Sequence, residues 1–414
     1  MKLETPPGTR DFLPEEMVKR QEAIDKIRAT FERYGFSPAE TPAFEYAEVL
    51  EGKYGEEEKL IYRFEDMGGR KLALRYDLTV PLVRVVGMNQ LPVPFKRYCI
   101  SRVWRFDRPQ KGRYREFWQC DVDTVGVPGM KADAEIIACA IDTLESLGLK
   151  GFKFKVNSRK VLDALMVSVG ISKENELAVF RALDKLEKIG EDQVRKELDR
   201  IEKAKLDKLF EILSIKTIGE VEKKVGDTEG VKELKELFAL LKLYKKSVVL
   251  DLAMVRGLDY YTGPIFEVEL GSYGSIAGGG RYDKLIGQLS GKEMPAVGIS
   301  LGIERIIEVM REQGLLTDKK TVTRVFVLRA DEESEGVTLQ ILTELRAAGI
   351  NSEADLLGRN FSNQMSYANR LGVEKVVIVG QKDLKDGKIT VKDMKTGEQK
   401  AVDKGKIIEA LKIK

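Results

Sequence analysis

Downstream of Thr321 the chain alternates short β-branched runs with amphipathic stretches: 325–328, then 338–348, then 364–371, then 376–379. No other pattern in the sequence restricts the fold so tightly. Parallel strands need crossovers of helical length, so this alternation predicts a small α/β domain with a mostly parallel sheet over 321–414. One core cannot account for the remaining three quarters of a 414-residue chain, since domains hold roughly 150 residues each.

Upstream the periodicities change. Met17, Ile24, Ile27 and Phe31 recur at helical spacing among charges, and Gly35 follows, which predicts an amphipathic helix over 15–34. Alternating β-branched and aromatic residues over 71–86 and 95–125, interrupted by the polar stretch 107–112, predict antiparallel strands and a hairpin. Between Arg159 and Lys246 the composition shifts to Lys, Glu, Leu and Ile at helical spacing, as in Leu198, Ile201, Leu206, Leu209 and Leu213. This is expected to be a helical insertion with a solvated charged face. Strand signals return at 247–255 and 265–270, then a glycine-rich stretch at 277–280 and a helix-like run from Ile299 to Met310. The expected fold is an α+β domain with an antiparallel sheet, interrupted by the insertion and followed by the α/β domain.

The chemistry is bounded by one absence: the sequence contains no histidine. Ser-His and Cys-His nucleophile pairs, an imidazole general base and imidazole-ligated zinc are thereby excluded. Arginine, carboxylate and tyrosine remain. Cys99, Cys120 and Cys139 lack metal-ligand spacing and read as reduced core thiols. With 70 Lys and Arg against 67 Asp and Glu, a nucleic-acid contact has to be local. No apolar run approaches the roughly 20 residues of a membrane span, and Met1 to Arg10 lacks a signal-peptide pattern, so the expected location is the cytoplasm.

Four segments carry candidate chemistry. Between Ser101 and Gly126, Arg102, Arg105, Arg108, Lys111, Arg113 and Arg115 surround one Pro/Gly turn; such a group suits a polyphosphate, and Phe117 and Trp118 add stacking surfaces, although a solvated basic hairpin has the same composition. In Val255–Val268, Arg256, Asp259, Tyr260 and Tyr261 converge on a turn that an edge strand would also use. Gly278 to Gly280 permit close backbone approach without a Walker lysine, and Arg305 lies in a helical run beyond them. Asp77 and Thr79, at strand spacing, share a face able to hold an ammonium; either residue equally suits a helix cap.

Taken in order, these segments resemble the class II aminoacyl-tRNA synthetases, and within that class the histidine-specific branch. RGLDYYTG at 256–263 and AGGGRYD at 277–283 are similar to that branch's two signatures. RFDRPQKGRYREF at 105–117 resembles motif 2, GISLGIERI at 298–306 motif 3, and GFSPAETPAFE at 35–45 the dimer-forming motif 1. The resemblance covers essentially the whole chain. It implies a ligase that activates L-histidine with ATP and Mg2+, releasing pyrophosphate, and transfers it to the 3′ end of tRNA(His).

The resemblance further implies a catalytic domain over 1–160 and 245–318, an insertion over 161–244, an anticodon-binding domain over 321–414 and a homodimer. Arg105 and Arg113 would bind the ATP phosphates, with Phe117 and Arg305 enclosing adenine. Asp77, Thr79 and Gln119 would hold the α-ammonium; Asp123, Tyr261 and Tyr282 would surround the imidazole, and Tyr260 is a further histidine-binding residue. Arg256 would meet the carboxylate and α-phosphate. Arg108, Gln110 and Lys111 would lie near the tRNA acceptor end, and Arg359, Asn360 and Asn363 are candidates for the anticodon. No metal ligand is assigned to a side chain. Asp107 stands where the motif usually carries glutamate. With no imidazole in the protein, a phosphate oxygen of the adenylate is the expected proton acceptor during transfer. A regulatory relative of histidine biosynthesis and an RNA-binding scaffold are the rival readings; the first typically lacks the arginine signature that this chain retains at Arg256.

Overall fold

The computed structural model describes residues 2–109, 112–202, 205–256 and 260–411. The chain divides into two compact units, 1–10 with 23–315 and 11–22 with 316–414.

The larger unit is built on an eight-stranded sheet. Its strands are β1 (Ser37–Pro38), β5 (Phe95–Trp104), β6 (Glu116–Val125), β7 (Lys153–Ser158), β8 (Val249–Leu250), β9 (Pro264–Glu269), β10 (Ser275–Arg281) and β11 (Ala296–Gly302), in the order β1-β5-β6-β11-β10-β9-β7-β8. The five inner pairings are antiparallel, and only the short outer strands β1 and β8 pair in parallel. A three-stranded sheet of β2 (Phe44–Tyr46), β3 (Arg63–Glu65) and β4 (Lys71–Leu74) lies between β1 and β5 in sequence. Alternation along the inner strands sends Cys120, Val122, Ile299, Leu301, Phe266 and Val268 to one face, all buried. The helix Lys131–Ser146 packs against β6 and β11 with Ile136, Ile137, Ala140 and Leu144 inward.

Several sequence expectations shift. The strand expected over 71–86 ends at Leu74, and Thr79–Met88 is a helix that buries Val80, Val83 and Val86 on one side. Pro81 falls in its first turn, where a missing N–H costs nothing, and the β-branched residues are tolerated because burial outweighs their modest helix penalty. The strand signal at 247–255 yields only β8, and Ile299 to Gly302 completes β11 before the helix Ile303–Glu312. Helices run from Arg159–Val169 to Glu229–Leu243, with Leu198, Leu206, Leu209 and Leu213 buried; the side chain of Ile201 lies outside the described residues. This helical run belongs to the same compact unit as the sheet.

In the smaller unit, β12 (Val325–Arg329), β13 (Ser352–Ala354), β14 (Lys375–Val379), β15 (Lys388–Asp393) and β16 (Gln399–Asp403) form a sheet in the order β13-β12-β14-β15-β16. The helices Glu335–Ala347 and Phe361–Leu371 supply the two parallel crossovers. The sheet is mixed rather than mostly parallel: after β14 only the single turn Gln381–Leu384 intervenes, too short for a crossover, so β15 and β16 add antiparallel.

Candidate active site

The open face of the large sheet is assembled by register. One row runs Arg97, Asp123, Gly298, Gly280 and Ile265 across β5, β6, β11, β10 and β9. The next runs Cys99, Asp121, Ser300, Gly278 and Glu267. Three successive residues of β6 on this side, Gln119, Asp121 and Asp123, are polar and nearly buried, at 8, 3 and 2% exposure. Charge placed there must be matched.

Glycines in these rows make room for side chains of their neighbours. A Cβ on Gly298 would stand 2.0 Å from Asp123 Oδ1, and one on Gly280 would stand 3.0 Å from the Tyr261 ring. On Gly278 it would meet Arg256 Nη1 at 3.4 Å. Close approach at Gly278 and Gly280, expected for a ligand, is therefore used here by Arg256 and Tyr261.

Asp123 is held from two sides: the Tyr282 hydroxyl donates to Oδ1 at 2.5 Å, and Arg97 Nη2 lies 3.0 Å from Oδ2. Tyr260 and Tyr261 pack with ring centroids 4.6 Å apart and planes tilted by 57°, and Tyr260 meets Tyr282 edge-on at 6.5 Å. Burial pushes the Tyr261 hydroxyl up to about 12, so it stays a donor at neutral pH. These four residues, all expected from sequence to bind one substrate, form one polar group in which Asp123 and Tyr282 are buried and Tyr260 and Tyr261 half-buried.

Asp77 and Thr79 do not share a strand face. Asp77 precedes the helix Thr79–Met88, and its Oδ1 accepts the amides of Thr79 and Val80, each at 3.0 Å. Capping was one of the two uses the sequence left open, and it is the one observed. Burial raises the Asp77 carboxyl above its ordinary value despite those amides.

The second compartment is cationic. Arg105 lies with its guanidinium 4.2 Å from the Tyr76 ring centroid and 5.3 Å from that of Phe117, and donates through Nε to Tyr76 O at 3.1 Å. Arg256 pairs with Glu267, and Arg305 donates to the Ser275 carbonyl. Burial, together with the like charges of Arg113 and Arg256, pushes the Arg305 guanidinium below its ordinary value. Arg305, with the like charges of Arg113 and Arg256 near it, favours an anion beside it. Asp107 pairs with Arg113 at 3.1 Å, which assigns the contact of the shortened carboxylate. Arg108 is exposed; Gln110 and Lys111 lie outside the described residues.

Sequence reasoning passed over Arg97, Asp121 and Glu267. The strict alternation of polar residues in QCDVD marks Asp121 as a partner of Asp123, whereas Arg97 and Glu267 emerge only from cross-strand register. In the smaller unit Arg359 pairs with Asp355 at 3.0 Å and stacks over Tyr367, Asn360 Oδ1 caps the helix Phe361–Leu371 through the Asn363 amide, and the Asn363 side chain is exposed.

Comparison with known proteins agrees with this layout. The family model described as Histidyl-tRNA synthetase matches residues 8–306, and that described as Anticodon binding domain matches 323–414. The histidine--tRNA ligase of Aeropyrum pernix is 45% identical over 98% of this chain and 97% of its own length, and that of Pyrococcus furiosus 39% over 99% of each. The crystal structure of histidyl-tRNA synthetase from Nostoc sp. superposes with a TM-score of 0.88 at 32% identity, covering 100% of this chain and 99% of the other. With the matches running from end to end and through every strand of the site, the chain belongs to the histidyl-tRNA synthetase family, ligases of the class II fold.

Proposed function

We propose that the open face of the large sheet activates L-histidine with ATP to histidyl-adenylate and pyrophosphate, and that the histidyl group then passes to the 3′ end of tRNA(His). The observation that carries this reading is that Arg256 acts on two groups at once: on Tyr261, which belongs to the carboxylate and tyrosine group, and on Arg305, which also feels the like charge of Arg113. An amino acid fits the first and a polyphosphate the second.

In this reading Asp123, buttressed by Tyr282 and Arg97, and Tyr261, with Tyr260 packed on it, contact the imidazole. A pocket that bonds both ring nitrogens leaves buried groups unpaired with any other side chain, which is the source of selectivity. Gln119 and Thr79 lie at the α-ammonium end, and Asp77 fixes the helix that carries Thr79. Arg105 and Arg256 neutralise charge on the α-phosphate as the histidine carboxylate attacks it, and Arg113 receives the distal phosphates. Phe117 and Arg305 enclose the adenine. The attacking carboxylate is already ionised, so this step needs no general base.

Mg2+ belongs to this reading as the ion that accompanies the nucleotide, and it would supply neutralisation of phosphate charge beside Arg105 and Arg113. In transfer, a phosphate oxygen of the adenylate takes the ribose proton. Arg108, Gln110 and Lys111 are assigned to the acceptor end, the smaller unit to the anticodon, with Arg359, Asn360 and Asn363 as candidate contacts, and the helical run 161–244 to an insertion domain. A homodimer in the cytoplasm completes the reading. Phe44, Tyr46 and Phe64, exposed on the three-stranded sheet with Phe44 and Phe64 edge-to-face at 6.2 Å, supply an apolar surface for it.

Aminoacylation tests the whole reading. Histidine, and no other standard amino acid, is expected to support ATP–pyrophosphate exchange and charging of tRNA(His). Exchange that does not depend on histidine refutes it.

A further inference from the structure

Among the described residues, four buried side-chain oxygens on β6, those of Gln119, Asp121, Asp123 and Thr124, have no hydrogen-bond partner, and of these Asp123 Oδ2 is in an ion pair with Arg97. Gln119 Oε1 and Asp121 Oδ1 are two of the four. As residues i and i+2 of one strand they face the same way, with Cα atoms about 6.5 Å apart. The rest of Gln119 is engaged, since its Nε2 donates at 2.8 Å to the hydroxyl of Ser300, the residue opposite Asp121 on β11.

Neighbouring carboxylates are better supplied. Asp77 Oδ1 accepts two helix amides, and Asp123 accepts from Tyr282 on Oδ1 and forms an ion pair with Arg97 through Oδ2, whereas Asp121 has the Ser300 hydroxyl on its carboxylate and Oδ1 without a hydrogen-bond partner. Burial, with Asp123 beside it, pushes the Asp121 carboxyl up to about 7 against the pull of Arg97. An acceptor pair of this kind, one neutral and one anionic, is satisfied by a group that only donates and carries positive charge.

We propose that Gln119 Oε1 and Asp121 Oδ1 together seat the α-ammonium of the substrate, with Asp121 as its counter-ion. The role that the family resemblance gives to Asp77 is thereby divided: Asp77 organises the helix start, and Asp121 supplies the charge. The inference rests on the reading of this pocket as the amino-acid site.

The experiment compares L-histidine with imidazolepropionate, which keeps the ring and the carboxylate but lacks the ammonium, on full-length protein carrying Asp121→Asn. The histidine KM in pyrophosphate exchange is expected to rise about ten- to a hundredfold, the range for losing one bond to a charged group. The inhibition constant of imidazolepropionate should stay within about twofold, because no ammonium is there to lose its partner. Without ligand at pH 8 the variant should melt no lower than the parent, since a buried charge has been removed. An unchanged histidine KM, an equal loss for both ligands, or a lower melting temperature overturns the seat. Absence of histidine-dependent exchange in the parent protein instead refutes the function proposed above.

Discussion

The Tyr282 hydroxyl donates to Asp123 Oδ1 at 2.5 Å, in a pair 1 and 2% exposed. A carboxylate fixed in this way presents a constant acceptor geometry to a substrate ring. Tyr282→Phe removes the donor without changing shape, and the histidine KM is expected to rise about tenfold with the ATP KM unchanged. Asp123→Ala should raise it further. Steady-state exchange kinetics with each substrate varied in turn measure both effects, and an unaltered histidine KM in Tyr282→Phe separates Tyr282 from the pocket.

Gly298→Ala places a methyl 2.0 Å from Asp123 Oδ1 and 2.9 Å from the Val122 carbonyl. Backbone on one side leaves no room to yield, so overpacking of about 1–3 kcal/mol is expected together with a displaced carboxylate. Histidine binding should be lost before ATP binding. Titration calorimetry with each ligand and a thermal melt give the comparison; a variant that binds histidine normally would falsify the packing argument.

The arginine cluster predicts the opposite selectivity. Removing one of three like charges relieves repulsion in the free protein and weakens polyphosphate binding. Arg113→Ala is expected to raise the ATP KM about tenfold while the histidine KM changes little. If the histidine KM moves instead, Arg113 does not serve the nucleotide.

In the smaller unit Asp393 accepts the amides of Lys395 and Thr396, each at 2.9 Å, and Lys375 Nζ at 2.6 Å. Lys375 first, then the amides, hold its carboxyl well below the usual carboxylate range. A depressed folded-state pKa adds stability that is complete above the unfolded value near 3.9 and fades as pH falls toward the folded one. Asp393→Asn should therefore speed hydrogen exchange in β15 and β16 at pH 7, with parent and variant converging in strong acid. Equal protection at pH 7 would count against the link.

For the dimer, Phe44→Asp with Phe64→Asp charges an exposed aromatic pair and should leave monomers without unfolding the sheet. Light scattering on the parent and on the folded double variant decides the matter; a parent of dimer mass with a variant of the same mass removes this surface from the proposed interface.

Much of this was legible in the residues themselves. The hairpin 95–125 and the crossovers of the smaller unit follow from periodicity, and RGLDYYTG and AGGGRYD mark the site. The helix Thr79–Met88 was not, because its valines read as a strand until Asp77 is seen to cap it. The roles of Arg97 and Glu267 were also hidden: each depends on which residue stands across the sheet, and pairing between strands distant in sequence has no local signal.

Much of the pocket is outlined by Cβ atoms that are missing from β10 and β11. The side chains of Asp123, Tyr261 and Arg256 occupy those gaps, each backed by strand backbone at the fixed spacing of a hydrogen-bonded ladder. They cannot sink further without breaking the ladder, so the depth at which they sit is a property of the sheet, set during folding and not during binding.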